Sequence, residues 1–307
     1  MSSQLFPAIP RFLPPPSVSH VLWCVAGGDY ATLQAAVNAA SSGDTILVGP
    51  NLTGWGDVTF PAQKIITVTG LSAAAHTPTI QIGKVTYSPT VGTANENNIF
   101  LENLYVSGDF NGSQGVLFAG TAPARLRVTG LLISNVSALG GNGIVSNNSG
   151  SGSSLYIDNC LTNASPVGTM LVHTQGFTQM HDTELNAGAA AFSCAAGNLT
   201  VFTSRIEYAL AGAVGVITGG TVTMTTTFIR NTQTNGSGVS VASPGVFILD
   251  SSVFDVRTGT GYCVSGTGVF LYGQVTWSNV AAIVPRNVKT QNTLTQAQMT
   301  QTPTPSP

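Results

Sequence analysis

The chain has 307 residues, a formal net charge of −2 and only 7% Asp, Glu, Lys and Arg, against about 25% in an ordinary soluble domain. With no basic run it lacks the phosphate-neutralising surface that nucleic-acid binding needs, and no uncharged apolar stretch reaches the roughly 18 residues of a membrane span. Length alone allows two domains, but an unbroken internal repeat argues for one elongated domain with short appendages.

The first segment, Met1–Ser19, carries Pro7, Pro10, Pro14, Pro15 and Pro16 among Phe6, Ile9, Phe12 and Leu13. Proline favours an extended polyproline arm, and the apolar residues between the prolines make residues 1–19 a candidate docking arm. There is no charged leader followed by an apolar run, so a chain made in a cytoplasm and not secreted is expected. His20–Val25 reads as a strand. Gly27-Gly28-Asp29 turns the chain into a short helix near 31–40, with Leu33, Ala36, Val37 and Ala40 as its apolar stripe and Asp29 or Thr32 as its cap. Gly43 ends that helix before a strand over Thr45–Val48. A helix over the first turn of a repeat covers an exposed sheet end.

From there one pattern recurs: alternating apolar residues, a small or polar corner, and a further apolar residue. The corners are Gly49, Gly70, Asn103, Gly130, Asn159, Asp182, Thr203, Thr226, Asp250 and Gly273. Two residues before them stand Leu47, Val68, Leu101, Val128, Ile157, Met180, Val201, Met224, Ile248 and Leu271. All ten are apolar, where the composition alone gives 43%. A repeat of 20–30 residues with period-two alternation is a stacked β-solenoid. The expected fold is therefore all-β: a single-stranded parallel β-helix of about ten rungs over residues 20–284. The segment 285–307, rich in Thr and Gln, reads as a polar tail.

The stretch GDYATLQAAVNAASSGDTILVGP, Gly28–Pro50, resembles the opening of the pectin-lyase-like superfamily, the right-handed parallel β-helices. The resemblance covers Gly28–Pro50 by motif and Ile65–Trp277 by repeat architecture. It implies a right-handed coil. That superfamily hosts lyases, hydrolases, esterases and non-enzymatic viral proteins, so the fold does not settle the chemistry. Its lyases use a calcium site of several carboxylates with a basic residue, and its hydrolases pair two carboxylates some 5–9.5 Å apart. Neither set is evident here, and no cofactor motif is present. The cysteines Cys24, Cys160, Cys194 and Cys263 have no metal-ligand spacing and read as buried thiols.

Stacking supplies the best constellation. Asp158 and His181 share an outward position on adjacent rungs, and Glu184 and Arg205 share another, with Glu207 two residues beyond. These five are weak catalytic candidates as a single patch, with His181 and Glu184 or Glu207 moving protons. Cross-strand polar pairing is the alternative. Trp55, Tyr87, Tyr105, Tyr156, Phe202 and Tyr272 are candidate exposed aromatics. Of these, Tyr156, Phe202 and Tyr272 sit at outward positions that suit either sugar binding or packing of one rod on another.

Low charge, abundant Gly, Thr and Asn, and terminal docking segments resemble β-helical virion proteins of bacteriophages, which commonly assemble as trimers. The leading expectation is a capsid decoration (cement) protein, not an enzyme, made in the host cytoplasm and incorporated in the virion. Its partners are itself, as a homotrimer, and the major capsid protein, with a host glycan as a further ligand and no nucleic acid or membrane. A tailspike-type polysaccharide-binding or depolymerase protein and a cell-surface adhesin are the alternatives.

Overall fold

The computed structural model describes residues 19–25, 28–51, 53–71, 78–108, 113–135, 141–163, 168–187, 190–208, 213–231, 237–256, 264–278 and 289–290. Phe6, Ile9, Phe12 and Leu13 of the arm, Cys263 and most of the polar tail lie outside them.

Every strand pair among the described residues is parallel, and the chain climbs by visiting three sheets in turn. Sheet 1 has twelve strands, from Val21–Cys24 to Lys289–Thr290. Sheet 2 has nine, from Gln81–Ile82 to Val275–Ser278, and sheet 3 has nine, from Val58–Phe60 to Val264–Gly266. One rung illustrates the rest: Ser154–Asp158 in sheet 1, Leu161–Asn163 in sheet 2, Thr169–His173 in sheet 3, then Phe177–His181 back on sheet 1 above its start. The result is a parallel β-helix of nine turns. Alternate residues point inward and make one continuous apolar core along the axis, from Cys24 to Val275.

The end is closed as the sequence leads one to expect, by a helix shorter than 31–40. Helix α1 spans Leu33–Ala39, capped by Thr32, whose hydroxyl accepts from the Ala35 amide at 3.1 Å. Its Gln34 does more than cover the end. The side-chain amide accepts from Thr59 N at 2.7 Å and donates to Thr59 O at 3.0 Å, pairing the outermost strand of sheet 3 as another strand would. Among the described residues no helix is long and apolar enough to cross a membrane.

The corner between sheets 1 and 2 is a ladder of left-handed residues. Asn103, Gly130, Asn159, Asp182, Thr203, Thr226 and Ser251 have φ of 54, 62, 52, 44, 47, 52 and 48°. Each of the first six donates its N–H to a carbonyl of the next rung, as in Asn159 N to His181 O at 3.1 Å. At Gly130 a side chain is excluded twice over, by φ and by Asn103 Oδ1, 2.6 Å from where a Cβ would lie. Thr203 and Thr226 hold the same backbone with a β-branched side chain, at a cost of about 1–2 kcal/mol each. Both are exposed. Thr226→Asn is therefore expected to raise unfolding stability by roughly 1 kcal/mol, read from a urea melt; a lower midpoint would show that the threonine side chain makes a compensating interaction.

One residue past the corner, a buried column of hydroxyls closes the bend. Thr183 N donates to Ser204 Oγ at 3.2 Å, Thr227 N to Ser252 Oγ at 3.0 Å, and Cys160 N to Thr183 Oγ1 at 3.3 Å. Each hydroxyl in turn donates back to the carbonyl two residues earlier, as Ser204 does to Phe202 O at 2.7 Å and Ser252 to Asp250 O at 2.6 Å. The buried amides that the bend removes from the sheet ladder are thus satisfied. Cys160 extends the column downward, its Sγ facing Leu131 N at 3.4 Å. Cys24, Cys160 and Cys194 are buried free thiols.

The register departs from the sequence reading at both ends. Ile46 and Val48 are the inward residues of their strand and Leu47 faces out, so the position assigned to Gly49 belongs to Val48, which pairs with Gly70. In the ninth repeat the left-handed corner is Ser251, not Asp250, and Ile248 pairs with Leu271 of the tenth on the outer face. Gly273 accordingly stacks one residue before the corner position.

Candidate functional site

Residues that share a strand position line up about 4.8 Å apart along the rod. On the outer face of sheet 1 the middle column reads Phe100, Arg127, Tyr156, Gln179. The flanking columns supply Asn98 and Arg125 on one side and Asp158 and His181 on the other. Together these residues line a shallow depression of about 440 Å³.

Asp158 organises it. Its Oδ1 lies 3.0 Å from His181 Nδ1, and its Oδ2 lies 3.8 Å from an Arg127 guanidinium nitrogen. The Arg127 and His181 side chains are about half exposed, at 54% and 53%, so this chain of charges is open to solvent and weak as a stabilising device. Tyr156 meets Phe177 edge-on, with ring centroids 6.3 Å apart. Phe202 stands beside His181 on the next strand. The depression therefore offers two guanidiniums against one carboxylate, an imidazole, two amides and aromatic faces.

Glu184, Arg205 and Glu207 are elsewhere. The corner at Asp182 carries the chain onto sheet 2 before them; Glu184 and Arg205 line a second, smaller depression, which shares no residue with the first, and Glu207 stands two residues beyond Arg205 on its strand. The five candidates thus form two groups, not one patch. Glu184 and Arg205 are register partners, as are Asn186, Glu207, Arg230 and Asp255 in succession. Glu207 Oε1 accepts from Arg205 at 2.7 Å and from Arg230 at 3.3 Å, and Arg230 Nε lies 3.7 Å from Asp255. Asn186 donates to Glu184 at 3.0 Å, and the Arg205 guanidinium sits 5.5 Å over the Phe228 ring. The hydrogen bond from Arg205 to Glu207 holds the guanidinium pKa above its ordinary value. Each of these charges answers a neighbour, an arrangement that stabilises a sheet face and leaves no group poised to move a proton to His181.

The aromatic candidates also divide. Trp55 is buried and donates Nε1–H to Gly49 O at 2.7 Å, and Tyr87 is buried and stacked on Phe118 at 6.0 Å. Tyr272 pairs with the inward Leu249 and stacks on Phe270 at 5.2 Å, so it belongs to the core end and not to an outward column. Tyr156 and Phe202 remain at the sheet 1 face. Arg125, Arg127, Phe100, Phe177 and Gln179 escaped the sequence reading; the signal was there in the outward slot of Leu126-Arg127-Val128, which stacks on Tyr156.

The calcium site that a lyase resemblance implies does not fit these residues. Among the described residues no three His, Cys, Asp or Glu side chains gather closely enough to hold a metal ion, and Asp158 is the single carboxylate lining the first depression.

The sequence matches no family model, and no curated protein matches it. A solved structure does: the crystal structure of pectate lyase Pel9A aligns with a TM-score of 0.55 and 13% identity, covering 88% of this chain and 80% of that one. The likeness is one of fold. This chain has that fold, a right-handed parallel β-helix.

Proposed function

We propose that this protein is a glycan-binding rod of the tailspike kind, holding an acidic polysaccharide along the outer face of sheet 1. The observation that carries the reading is the stacked series Arg125, Arg127, Tyr156, Asp158 and His181 on adjacent parallel strands. Guanidiniums recognise carboxylates or sulfates in a fork, and an aromatic face packs against the apolar side of a sugar ring. The groove runs along a rigid scaffold, which suits a linear polymer. Binding without cleavage is the reading favoured. Hydrolysis through paired carboxylates needs a second one across the groove, and Asp158 is already engaged by Arg127 and His181.

The expected result is measurable by isothermal titration against a panel of acidic and neutral polysaccharides, with product chromatography on the same samples. Acidic polymers bind and neutral ones do not. Arg127→Ala weakens binding roughly tenfold or more, the scale of one charge-assisted contact, and raised salt weakens it further. Equal binding of neutral polymers would sink the proposal; shortened products would replace it with a depolymerase.

A second reading, capsid decoration, is favoured by a different observation. Val21, Trp23 and Leu71 are exposed at 52, 45 and 46% on or beside the first three strands of sheet 1. An apolar end of this kind is a candidate particle-docking point. Immunogold labelling of particles from the source tests it: gold on the head supports it, gold on the tail favours a spike, and unlabelled particles remove the virion from consideration.

A further inference from the structure

The outer face of sheet 3 differs from the other two. The strands of sheet 1 carry Glu102, Arg125, Arg127, Asp158 and Asp250, and those of sheet 2 carry Glu184, Arg205, Glu207, Arg230 and Asp255. The nine strands of sheet 3 contain no Asp, Glu, Lys or Arg, and their one histidine, His173, points into the core. The central outward column of that sheet runs Leu117, Val145, Val172, Ser193, Val216, Ser240 in unbroken register. A sheet face left to water normally carries charge, both for solubility and against edge or face association.

We infer that sheet 3 is the surface on which copies of this chain pack, sheet 3 against sheet 3, around a shared axis. Two arguments choose a second copy as the occupant. The first is charge. A partner that brought a charged residue onto this face would bury it with no counter-charge, which is costly, and among the described residues sheet 3 of a second copy is the full-length sheet face that brings none. A symmetric contact places the same patch on both sides. The second is area. Nine strands spaced about 4.8 Å apart, each with about five residues rising about 3.3 Å, make a face of roughly 40 by 16 Å. Two such faces bury on the order of 1,200 Å² in total, the lower bound for a stable specific interface. Self-association through this face leaves the sheet 1 depression open on each copy.

Sedimentation velocity of the full chain tests the inference. The wild-type protein is expected to sediment as two or three chains, with a mass insensitive to salt because no charge crosses the contact. Val172→Lys with Val216→Lys weakens association by roughly 100-fold, the scale of unpaired charges buried at an interface. Thr200→Lys, at an outward position of sheet 1, leaves it unchanged. A monomeric wild type, or an oligomer indifferent to the sheet 3 lysines, overturns the inference. Should the lysine variants fail to fold, Ser193→Cys treated with a short bismaleimide is expected to give a chain-to-chain cross-link absent from wild type and from Thr200→Cys; cross-linking of Thr200→Cys alone overturns it equally.

Discussion

Acidification from pH 7 to about pH 4 is expected to remove roughly 3 kcal/mol of unfolding stability through one buried side chain, His173. The residue is fully buried on the inner face of sheet 3, between Ser146 below and Cys194 above. Thr178 Oγ1 lies 2.9 Å from Ser146 Oγ, to which it donates, and 3.0 Å from His173 Nδ1. With its one proton committed to Ser146, Thr178 accepts from Nδ1–H, and Nε2 is the bare nitrogen. Nε2 is buried with no hydrogen-bond partner. A second proton would place an unanswered N–H and a charge in the core, and burial pushes the pKa down from 6.5 to about 4. The sign follows. Between pH 6.5 and 4 the unfolded chain binds a proton that the folded chain refuses, so stability is complete above 6.5 and declines as pH falls toward the folded value. His173→Leu, similar in volume and unable to titrate, flattens that part of the profile. Urea unfolding at pH 7 and pH 4.5 for both proteins measures it; equal slopes in the two would exclude His173 as the source.

The second large effect concerns Phe192 and Gly215, register partners in sheet 3. A Cβ on Gly215 would lie 2.0 Å from Phe192 Cζ. The ring thus occupies the place of the missing side chain above it, and the two positions share one volume. Phe192→Ala is expected to cost about 3–5 kcal/mol by opening a cavity. Gly215→Val costs about 1–3 kcal/mol by overpacking. The double variant returns side-chain volume to the gap, so its loss falls short of the sum by at least about 1 kcal/mol. Thermal or urea unfolding of the three proteins closes the cycle, and strict additivity would mean that the ring does not fill that space.

Where the sequence reading succeeded and failed has a simple cause. From Asn103 to Thr226 the inward slots alternate with polar outward ones, as in Val222-Thr223-Met224-Thr225, and the corner must tolerate a left-handed backbone. Parity and corner then agree. In Ile46-Leu47-Val48, Phe247-Ile248-Leu249 and Phe270-Leu271-Tyr272 both faces are apolar, so alternation cannot say which one is buried, and the register slipped by one residue at each end. Stacking brought Asp158 to His181 and Glu184 to Arg205 without any coordinates. The corner at Asp182 is legible in the same repeat, but spacing carries no turning angle, so the sequence does not show that this corner sets the two pairs on different sheets. His173 was missed although it holds an inward slot in Thr169–His173, where a polar residue of any kind is an anomaly.

The hydroxyl column past the corners at Asp182, Thr203, Thr226 and Ser251 gives the rod a direction. The amide of Thr183 is satisfied by Ser204, and that of Thr227 by Ser252, so the acceptor always belongs to the rung made later. A chain that ends one turn after Cys160, Thr183 or Thr227 has its acceptor, whereas a chain that ends before that turn leaves the amide buried without one. Truncation from the two ends is unequal for the same reason. A cut after Val241 strands the Thr227 amide, whereas loss of the opening turns strands none of these donors.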